Sequence, residues 1–554
     1  MTQPLLTVQN LTVAVRDKKG RETIIVDDIS FDVQPGQVIA LIGESGSGKT
    51  TISLGCMGYS RPGCHITGGS VHLDGQSVLD RSLPELQRLR GKDITYVAQS
   101  AAASFNGAMR IDDQVTEIPV ITGEMRRDEA LAKARDLYAA LELPDPDTIG
   151  QRFPHQVSGG QLQRLMAAMA MISDPKLLIL DEPTTALDVT TQIEVLYSFK
   201  KLIRDNKTAA IYVTHDLSLV AQIADHILVL RDGKMVEYGP TEQIISAPQD
   251  DYTKALMAAA HVMPETIAAP AVATGSDAPL LQVRNVTAGY GPGQSIIALR
   301  DIDLTIRRGE TVGVIGESGS GKTTLGRIIS GLMAPKSGQV LLEGAPLAGR
   351  VGERSRDDLR QIQFAFQMAD VALNPRQRIG KILGRPMQFY RGFSKAEADR
   401  EVARLLERVE LPTDFAQRFP PELSGGQRQR INLARALAAE PKLIICDEIT
   451  SALDTIVAQQ ILDLLASLQD ELGLSYMFIT HDIATVARIA DQIAVMRLGR
   501  IVQQGPVDQV LTPPCHEYTQ LLLNSVPEMR TDWLDQAVVE RRDLIAALGR
   551  TDVA

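Results

Sequence analysis

The nonapeptide GESGSGKTT occurs twice in this chain of 554 residues, at Gly43–Thr51 and at Gly316–Thr324. Each copy is a complete phosphate-binding loop of the pattern G-x-x-x-x-G-K-[ST], and each follows an apolar run typical of a buried strand. The glycines of such a loop let successive backbone N–H groups point at phosphate oxygens. Because two identical copies in the same context exclude a chance match, the chain is predicted to hold two nucleotides in sites of one design.

All residues of both loops are candidate nucleotide contacts. In each loop the lysine is expected to reach the β- and γ-phosphates, and the threonine after it is expected to offer its hydroxyl to Mg²⁺. The loop residues are Gly43, Glu44, Ser45, Gly46, Ser47, Gly48, Lys49, Thr50 and Thr51 in the first copy, and Gly316, Glu317, Ser318, Gly319, Ser320, Gly321, Lys322, Thr323 and Thr324 in the second.

Other landmarks recur in the same order, so the repeat covers the whole chain. VSGGQLQR in the first half corresponds to LSGGQRQR in the second, LLILDEPTTALD corresponds to LIICDEITSALD, and VTHD corresponds to ITHD. A period this long indicates duplicated domains and not a solenoid, whose repeats run roughly 20–50 residues. We predict a first domain at 1–262, a linker at 263–279 rich in Pro, Ala, Thr and Gly, a second domain at 280–527, and a charged tail at 528–554 that forms one amphipathic helix.

Composition and patterning limit the function. The net charge of −11 argues against a broad nucleic-acid surface. No apolar run is long enough to span a bilayer, and the N-terminus lacks a basic-then-apolar signal, so we expect a cytosolic location. The four cysteines do not form a disulfide scaffold in a chain of this length. Cys56 and Cys64 lack ligand-like companions, so we interpret them as buried or idle thiols and not as a metal site.

Short β-branched runs alternate with longer helical stretches in both halves. This alternation predicts an α/β fold with a mostly parallel sheet and crossover helices. The runs that precede each phosphate loop, and those that precede Asp181 and Asp447, are apolar throughout, as strands buried on both faces should be.

Paired carboxylates follow one of these strands in each half. Asp181 and Asp447 end the strands, where a carboxylate can hold Mg²⁺ directly or through water. Glu182 and Glu448 come next, and alternation along a strand predicts that their side chains point a different way, toward the attacking water. We therefore predict Asp181 and Asp447 as metal ligands and Glu182 and Glu448 as catalytic bases.

Two further polar residues follow strands in each half. His215 and His481 lie in THD, where a side chain can touch the γ-phosphate and sense its loss, and we predict a catalytic role for both. Gln99 and Gln367 each end an apolar strand, from which an amide can contact Mg²⁺, water or the nucleotide. A structural role for either kind of residue is the alternative interpretation.

The SGGQ element occurs in both halves, at Ser158, Gly159, Gly160 and Gln161 and at Ser424, Gly425, Gly426 and Gln427. Two glycines followed by a helical pattern make a bare helix N-terminus that suits an anion. Each half already has one phosphate-binding helix start. The simplest explanation for a second is that it closes on the nucleotide held by the other half.

The ordered set of phosphate loop, Gln, SGGQ, DE, ALD and THD resembles the ATP-binding cassette (ABC) ATPases. Over nearly all of 5–262 and 280–527, both halves resemble the ATPase subunits of dipeptide and oligopeptide importers, and their fusion is similar to the tandem ATPases of microcin-C-like importers. The cues to this subfamily are the GESGSGK spelling, LNPRQRIG, QRFPHQVSGGQ with QRFPPELSGGQ, and the endings DYTKAL and HEYTQLLL. The resemblance implies two tandem cassettes, each with an α-helical subdomain.

What the resemblance implies for the sites is a head-to-tail ATPase dimer formed by the two halves. The first loop, with Gln99, Asp181, Glu182 and His215, would pair with Ser424–Gln427. The second loop, with Gln367, Asp447, Glu448 and His481, would pair with Ser158–Gln161, and Asp188 and Asp454 would lie at the seam. The cofactors would be ATP and Mg²⁺, and Glu182 and Glu448 would polarise the attacking water.

The resemblance also implies partners. Two integral-membrane permeases would contact the segments after Gln99 and Gln367, and they would connect the chain to a solute-binding protein. The chain would then lie at the cytoplasmic face of the bacterial inner membrane, and no nucleic acid would be bound.

Several residues depart from the family pattern. An aromatic residue usually stacks on adenine; Tyr290 fits this role in the second half, whereas the aligned residue in the first half is Val15. The first glutamine segment reads AQSAAASFN, Ile449 replaces a usual proline, and Leu162 stands where the second signature has Arg428. Neither half has the C-terminal cysteine cluster of many peptide-importer ATPases, so no iron–sulfur cluster is expected.

Three other functions are alternatives. Tandem translation factors of the same superfamily carry a long charged linker, whereas the linker here is short and contains only two charged residues. A sugar importer is disfavoured by two intact glutamates and by the DYTKAL and HEYTQLLL endings. A DNA-repair ATPase would need a coiled-coil insertion between Lys49 and Ser158. Dipeptides, oligopeptides, peptide antibiotics, opines and nickel chelates all remain open as cargo.

Overall fold

The computed structural model describes residues 3–16, 20–184, 187–260, 263, 278–451 and 453–551, with side chains up to residue 544. The chain divides into two compact units. The first comprises Met1–Val262 with Asp454–Ile456 and Pro527–Glu540, and the second comprises Met263–Leu453, Val457–Val526 and Arg541–Ala554. The predicted linker at 263–279 lies almost entirely outside the described residues.

The first unit contains ten strands and eleven α-helices in its described residues up to 260. The strands are β1 (Leu6–Arg16), β2 (Glu22–Val33), β3 (Val38–Gly43), β4 (Cys64–Leu73), β5 (Gln76–Ser77), β6 (Ile94–Val97), β7 (Leu177–Asp181), β8 (Ala209–Val213), β9 (His226–Arg231) and β10 (Lys234–Pro240). The helices are α1 (Lys49–Cys56), α2 (Leu83–Leu89), α3 (Ala101–Ser104), α4 (Ile111–Val115), α5 (Glu117–Ile121), α6 (Arg127–Ala140), α7 (Gly159–Met171), α8 (Val189–Asn206), α9 (Leu217–Ile223), α10 (Thr241–Ser246) and α11 (Asp251–Ala259).

The strands of the described residues from 278 onward repeat this order. The strands are β11 (Pro279–Tyr290), β12 (Ile296–Arg307), β13 (Thr311–Ile315), β14 (Ser337–Leu342), β15 (Ala345–Pro346), β16 (Ile362–Ala365), β17 (Leu443–Asp447), β18 (Ser475–Ile479), β19 (Gln492–Arg497) and β20 (Arg500–Pro506). The helices are α12 (Lys322–Ile329), α13 (Arg356–Gln361), α14 (Ala369–Ala372), α15 (Ile379–Arg391), α16 (Lys395–Arg408), α17 (Gly425–Leu437), α18 (Thr455–Leu472), α19 (Ile483–Ile489), α20 (Val507–Val510), α21 (Glu517–Leu523) and α22 (Trp533–Thr551).

A six-stranded sheet carries the phosphate loop in each unit. Its order is β10-β9-β3-β8-β7-β6 in the first unit and β20-β19-β13-β18-β17-β16 in the second. All neighbours are parallel except the terminal hairpins β9–β10 and β19–β20. Every residue of β3, β7, β13 and β17 is buried, because both faces of the sheet are covered by apolar side chains. The predicted mostly parallel α/β fold is confirmed.

Each unit also has a second sheet that the sequence pattern does not predict. It is fully antiparallel, with the order β2-β1-β4-β5 in the first unit and β12-β11-β14-β15 in the second. An apolar cluster fills the space between this sheet and the parallel one. In sequence, the helices α3–α7 lie between β6 and β7 and the helices α14–α17 lie between β16 and β17, and they supply the predicted helical subdomains.

The C-terminal tail is helical, as its pattern predicts, and its first part belongs to the first unit. Trp533, Leu534 and Ala537 are buried in the same apolar cluster as α7 and α8. The amide of Gln222 donates to the carbonyl oxygens of Glu528 and Arg530, both at 2.8 Å, and accepts from the backbone N–H of Leu534 at 3.0 Å. A buried residue on α9 thus replaces water for three backbone groups of the tail.

Among the described residues, no helix is both long and apolar enough to cross a membrane.

Candidate functional site

The phosphate loops connect β3 to α1 and β13 to α12. The ammonium of Lys49 donates to the carbonyl oxygens of Gly43 at 2.7 Å and Glu44 at 2.8 Å, and Lys322 makes the same contacts with Gly316 at 2.6 Å and Glu317 at 2.8 Å. Both lysines are buried, and burial lowers the pKa of Lys49. A buried cation whose neighbours are loop carbonyls is well suited to attract phosphate oxygens.

The first glycine of each loop is required by close packing. A Cβ on Gly43 would lie 2.1 Å from the carbonyl oxygen of Leu230, and one on Gly316 would lie 2.2 Å from that of Met496. Their φ angles, 144° and 151°, also favour glycine. The loop can therefore leave the sheet at this point only with glycine, which allows the following N–H groups to face one centre.

Two buried hydroxyls in the loops fit an anion. Within the described residues, Ser47 Oγ and Ser320 Oγ have no hydrogen-bond partner. Buried polar groups are almost always hydrogen-bonded in folded proteins. A phosphate oxygen above the loop would supply the acceptor that each hydroxyl lacks among protein atoms.

Oxygen atoms suited to a divalent cation meet beside each loop. Thr50 Oγ1 donates to Asp181 Oδ1 at 3.0 Å, and Thr323 Oγ1 donates to Asp447 Oδ1 at 3.0 Å. Burial raises the pKa of both aspartates. Hard oxygen donors of this kind are the ligands that Mg²⁺ prefers, so the residues present fit the predicted metal.

The first site has one additional contact at its aspartate. The hydroxyl of Tyr96 on β6 donates to Asp181 Oδ2 at 2.6 Å. Burial, together with this hydrogen bond, raises the pKa of Tyr96, so the hydroxyl keeps its proton and acts as the donor. The residue at the same position of β16 is Phe364.

The glutamates after the strands have a different backbone from the one expected. Strand alternation predicts that the side chains of Glu182 and Asp181 diverge, but Glu182 has a φ of 49° and Glu448 a φ of 48°. Left-handed backbone at a non-glycine residue is uncommon and costs free energy. The strand bonds still hold these residues, because the N–H of Glu182 donates to Val213 and that of Glu448 to Ile479, both at 2.8 Å. The backbone turn, and not pleat alternation, therefore directs each carboxylate.

Gln99 and His215 contact opposite oxygens of Glu182. Gln99 Nε2 donates to Oε2 at 2.8 Å, and His215 Nδ1 lies 3.3 Å from Oε1. Burial disfavours the charged imidazole, but the hydrogen bond and the charge of Glu182 outweigh this effect and raise the pKa of His215.

The second site repeats this arrangement around Glu448. Gln367 Nε2 donates to Oε2 at 2.6 Å, and His481 Nδ1 lies 3.4 Å from Oε1. The structure thus brings together the predicted glutamate, glutamine and histidine in both halves. In each case the glutamine amide is directed at the glutamate, and not at the aspartate that is the predicted metal ligand.

The SGGQ helices α7 and α17 are capped, and not bare as predicted. The N–H of Gln161 donates to Ser158 Oγ at 3.3 Å, and the N–H of Ser158 donates to Gln161 Oε1 at 3.1 Å. Ser424 and Gln427 form the same reciprocal capping box at 3.3 and 3.0 Å. The N–H groups of the two glycines in each motif are not part of this box.

The second glycine of each signature permits close helix packing. A Cβ on Gly160 would lie 2.1 Å from Thr191 Cγ2 of α8, and one on Gly426 would lie 2.3 Å from Val457 Cγ1 of α18. Side-chain bulk at these positions would therefore separate the signature helix from the helix that follows the DE strand. These contacts lie within one unit in each case, and the pairing of each signature with the other nucleotide stays a prediction.

Tyr290 is well placed for the predicted base contact. It ends β11 with its ring partly exposed, and its hydroxyl is 2.8 Å from Thr324 Oγ1 of the phosphate loop. Val15, next to last in β1, occupies the matching position of the first half. The aromatic ring is thus beside the loop in one half and is replaced by an aliphatic side chain in the other.

Sequence reasoning missed two tyrosines that contact the phosphate loops. The N–H of Glu44 donates to Tyr252 Oη at 3.2 Å, and the N–H of Glu317 donates to Tyr518 Oη at 3.0 Å. Arg231 lies over the ring of Tyr252 and Arg497 over that of Tyr518. The only signal in the sequence is the repeated DYT and EYT spelling, which by itself indicates a subfamily and not a contact.

The first unit includes a second contact to its loop. Asp454, a member of this unit together with Thr455 and Ile456, accepts from the N–H of Ser45 at 3.4 Å. Thr455 Oγ1 donates to the carbonyl oxygen of His215 at 3.0 Å. Asp188, its counterpart in the first repeat, caps α8 by accepting from the N–H of Thr191 at 3.0 Å.

Comparisons with known proteins identify the family. Residues 26–185 and 299–451 match the model described as ABC transporter. Residues 236–280 and 502–546 match the oligopeptide/dipeptide transporter, C-terminal region. Tyr252 and Tyr518 lie inside these last two segments.

Full-length relatives agree with the family models. The peptidoglycan transport ATP-binding protein YejF of Agrobacterium fabrum (strain C58 / ATCC 33970) is 39% identical over 536 residues, covering 94% of this chain and 96% of that protein. The glutathione import ATP-binding protein GsiA of Escherichia coli O157:H7 is 37% identical over 564 residues, covering 94% of this chain and 89% of that protein. GsiA of Salmonella choleraesuis (strain SC-B67) is 36% identical, with 95% and 90% covered.

The site geometry and the comparisons lead to one assignment. Each half has a phosphate loop with acidic and histidine partners, and each half matches both family models. The chain belongs to the ABC transporter family as a fused tandem ATP-binding protein of the peptide-importer type, and it binds and hydrolyses ATP.

Proposed function

We propose that this chain powers the import of peptides or peptide-like solutes through two partner permeases and, through them, a solute-binding protein. The observation that carries the proposal is the contact between Tyr252 or Tyr518 and the adjacent phosphate loop. Both tyrosines lie in segments matching the C-terminal region of oligopeptide and dipeptide transporters, so this region is part of the nucleotide site's surroundings. The names of the relatives, peptidoglycan transport and glutathione import, favour the same solute class.

The proposed domains are a first cassette at 1–262, a linker at 263–279, a second cassette at 280–527 and a tail at 528–554. Each cassette binds one ATP with its phosphate loop. Mg²⁺ would be held by Thr50 and Asp181 in the first site and by Thr323 and Asp447 in the second, with Gln99 and Gln367 nearby. A bound Mg²⁺ would neutralise charge on the transferring phosphate.

Hydrolysis rests on a positioned carboxylate in each site. Glu182 and Glu448 accept a proton from the attacking water. Gln99 and His215 hold the first carboxylate in place, and Gln367 and His481 hold the second. The SGGQ residues close on the nucleotide of the opposite half in a head-to-tail dimer of the two cassettes.

Closure of the two cassettes on ATP and their reopening after hydrolysis drive the permeases between two states. The chain therefore works at the cytoplasmic face of the inner membrane. We expect no nucleic-acid partner, in line with the net charge of −11.

Affinity purification tests the partner class. The chain carrying both Glu182→Gln and Glu448→Gln, tagged and expressed in its own organism, should retain two polytopic membrane proteins in mild detergent with ATP. Recovery of ribosomal proteins in their place would contradict the transport proposal and favour a translation factor.

Uptake measurements test the solute class. A strain lacking this chain should lose uptake of labelled di- and tripeptides, glutathione or muropeptides, and the unaltered chain should restore it. The doubly substituted chain serves as the matched control and should not restore uptake. Loss of nickel-chelate, opine or sugar uptake alone, with peptide-like solutes unaffected, would contradict the peptide assignment.

A further inference from the structure

The two sites differ at the aspartate that is proposed to hold Mg²⁺. Tyr96 and Phe364 are both the third residue of a four-residue strand, and each is paired with the strand that ends at this aspartate. Tyr96 donates its hydroxyl to Asp181 Oδ2. Phe364 has no hydroxyl, and its ring instead packs against Phe366 with centroids 4.7 Å apart. The first site therefore has a donor that the second cannot have.

This donor changes how firmly the carboxylate is held. Asp181 accepts from Thr50 at Oδ1 and from Tyr96 at Oδ2, so both oxygens are fixed and rotation about the Cβ–Cγ bond is opposed. In the second site, Thr323 corresponds to Thr50 and donates to Asp447 Oδ1. Phe364 corresponds to Tyr96 and has no hydroxyl to donate. The 2.6 Å separation at Tyr96 is typical of a strong hydrogen bond between a hydroxyl and a carboxylate.

We propose that Tyr96 is a positioning residue that orients Asp181 toward Mg²⁺, and that the first site consequently binds Mg²⁺ more tightly than the second. The inference rests on the proposed metal role of Asp181 and Asp447. Groups that orient a metal ligand without touching the metal commonly contribute about 10–100-fold to its affinity. Tyr290 is expected to strengthen adenine binding in the second site. The first site would therefore bind Mg²⁺ more tightly, and the second site would bind adenine more tightly.

Reciprocal substitutions in single-site chains test this proposal. Tyr96→Phe is introduced with Lys322→Ala, and Phe364→Tyr with Lys49→Ala, so that one nucleotide site is observed at a time. A fluorescent ADP analogue is titrated at fixed Mg²⁺ concentrations and in EDTA, which separates metal affinity from metal-free nucleotide affinity. Tyr238→Phe, a partly exposed tyrosine on β10, is the matched control.

At the first site, Tyr96→Phe should raise about tenfold the Mg²⁺ concentration that gives half of the full effect on nucleotide affinity. The nucleotide affinity measured in EDTA should be unchanged. Phe364→Tyr should lower this Mg²⁺ concentration at the second site. With Mn²⁺ in place of Mg²⁺, electron paramagnetic resonance should show a broader bound signal for Tyr96→Phe, because its aspartate is less constrained.

A half-effect concentration within about twofold of the parent for Tyr96→Phe would overturn the inference while leaving the magnesium role intact, since the expected change is about tenfold. A parent chain that binds nucleotide equally with Mg²⁺ and EDTA would overturn both. If the added hydroxyl prevents Phe364→Tyr from folding, the nearly isosteric Tyr96→Phe decides the result alone.

Discussion

Glu182 and Glu448 each have a left-handed backbone conformation, and both oxygens of each carboxylate contact a neighbouring side chain. A left-handed φ at a non-glycine residue costs about 1–3 kcal/mol and persists only where the surrounding structure enforces it. Here the N–H bond to the next strand, and the glutamine and histidine at the two carboxylate oxygens, supply that enforcement. The position of each carboxylate is therefore set before a nucleotide enters.

Glu182→Gln and Glu448→Gln should each preserve ATP binding while impairing hydrolysis. The substitution retains shape and hydrogen bonding but removes the base, and loss of a general base typically costs about 10²–10⁴-fold in rate. Steady-state phosphate release and nucleotide binding, measured on the single and double variants, check this. A normal ATPase rate in the double variant would show that these glutamates are not the bases.

Tyr290→Ala should weaken adenine nucleotide binding at the second site only. Loss of a stacked base costs about 1–3 kcal/mol, or roughly 5- to 150-fold in affinity. Tyr290→Phe is the control, because it keeps the ring and removes only the hydroxyl contact to Thr324. Titration of a fluorescent adenine nucleotide into chains carrying Lys49→Ala measures the effect. Equal affinity for the alanine variant and its parent would exclude stacking by this residue.

At the residue scale, the motif positions could be predicted because their spacing in sequence reflects adjacent strand ends. Asp181 ends one strand of the parallel part of one sheet, and Gln99 and His215 follow two others, so all three lie at the edge where the carboxyl ends of these strands meet. The Tyr96–Asp181 hydrogen bond could not be predicted. It depends on which face of a short strand is turned toward its neighbour, and ITYV alone does not specify this.

At the scale of elements, helices α11 and α21 lie within the segments that match the oligopeptide/dipeptide transporter C-terminal region, and each contacts the phosphate loop of its own half through one tyrosine. Tyr252 and Tyr518 are both buried, at 8% and 1% exposure, and each accepts from the second residue of the loop. The loop's backbone is thereby held by a residue that follows it by 208 positions in the first half and by 201 in the second. These helices act as supports for the nucleotide site.

Tyr252→Phe and Tyr518→Phe should each weaken nucleotide binding at the neighbouring site. The substitution removes a hydrogen bond worth about 0.5–1.5 kcal/mol, which corresponds to roughly a 2- to 12-fold loss of affinity if the loop is less ordered. Tyr238→Phe, at a partly exposed tyrosine whose ring lies beside His226, controls for the change of residue type. Isothermal titration of each variant in a single-site chain gives the result. Unaltered affinity in both variants would mean that the contact does not order the loop.

The elements divide clearly by predictability. Parallel strands and the α22 helix follow from local apolar patterns, so they could be anticipated. The antiparallel sheet could not, because β4 and β14 are glycine-containing and half-exposed and lack a regular alternation. The capping boxes of α7 and α17 are readable as S-x-x-Q, but the glycine pair favours the interpretation of a bare helix end.

At the scale of the whole molecule, two copies of one catalytic design carry different peripheral residues. Near the aspartate that is proposed to hold Mg²⁺, the first site has Tyr96 and the second has Phe364. At the position predicted to contact adenine, the first site has Val15 and the second has Tyr290. Duplication within one chain allows such divergence, because each cassette occupies a fixed place in the same polypeptide. The two sites need not contribute equally to a cycle.

The second site should therefore bind adenine nucleotides more tightly than the first when Mg²⁺ is absent. Lys49→Ala leaves the second site and Lys322→Ala leaves the first, since each removes a charged contact to phosphate. Comparing the two chains in EDTA with a fluorescent adenine nucleotide measures the difference. Equal affinities in the two chains would show that the Tyr290 ring does not distinguish the sites. If either lysine variant bound nucleotide at both sites as tightly as the unaltered chain, the phosphate-binding role of that lysine would be refuted.

The burial of the C-terminal tail has a practical consequence for optical measurements. Trp533 is the sole tryptophan of the chain, and it is only 5% exposed, within the apolar cluster of the first unit. Intrinsic indole fluorescence of the whole protein thus originates from a single point on the tail. Its emission maximum should move to longer wavelength as soon as this segment leaves the cluster and meets water, even while both catalytic units stay folded. The molecule thus carries an unlabelled optical reporter for one local event.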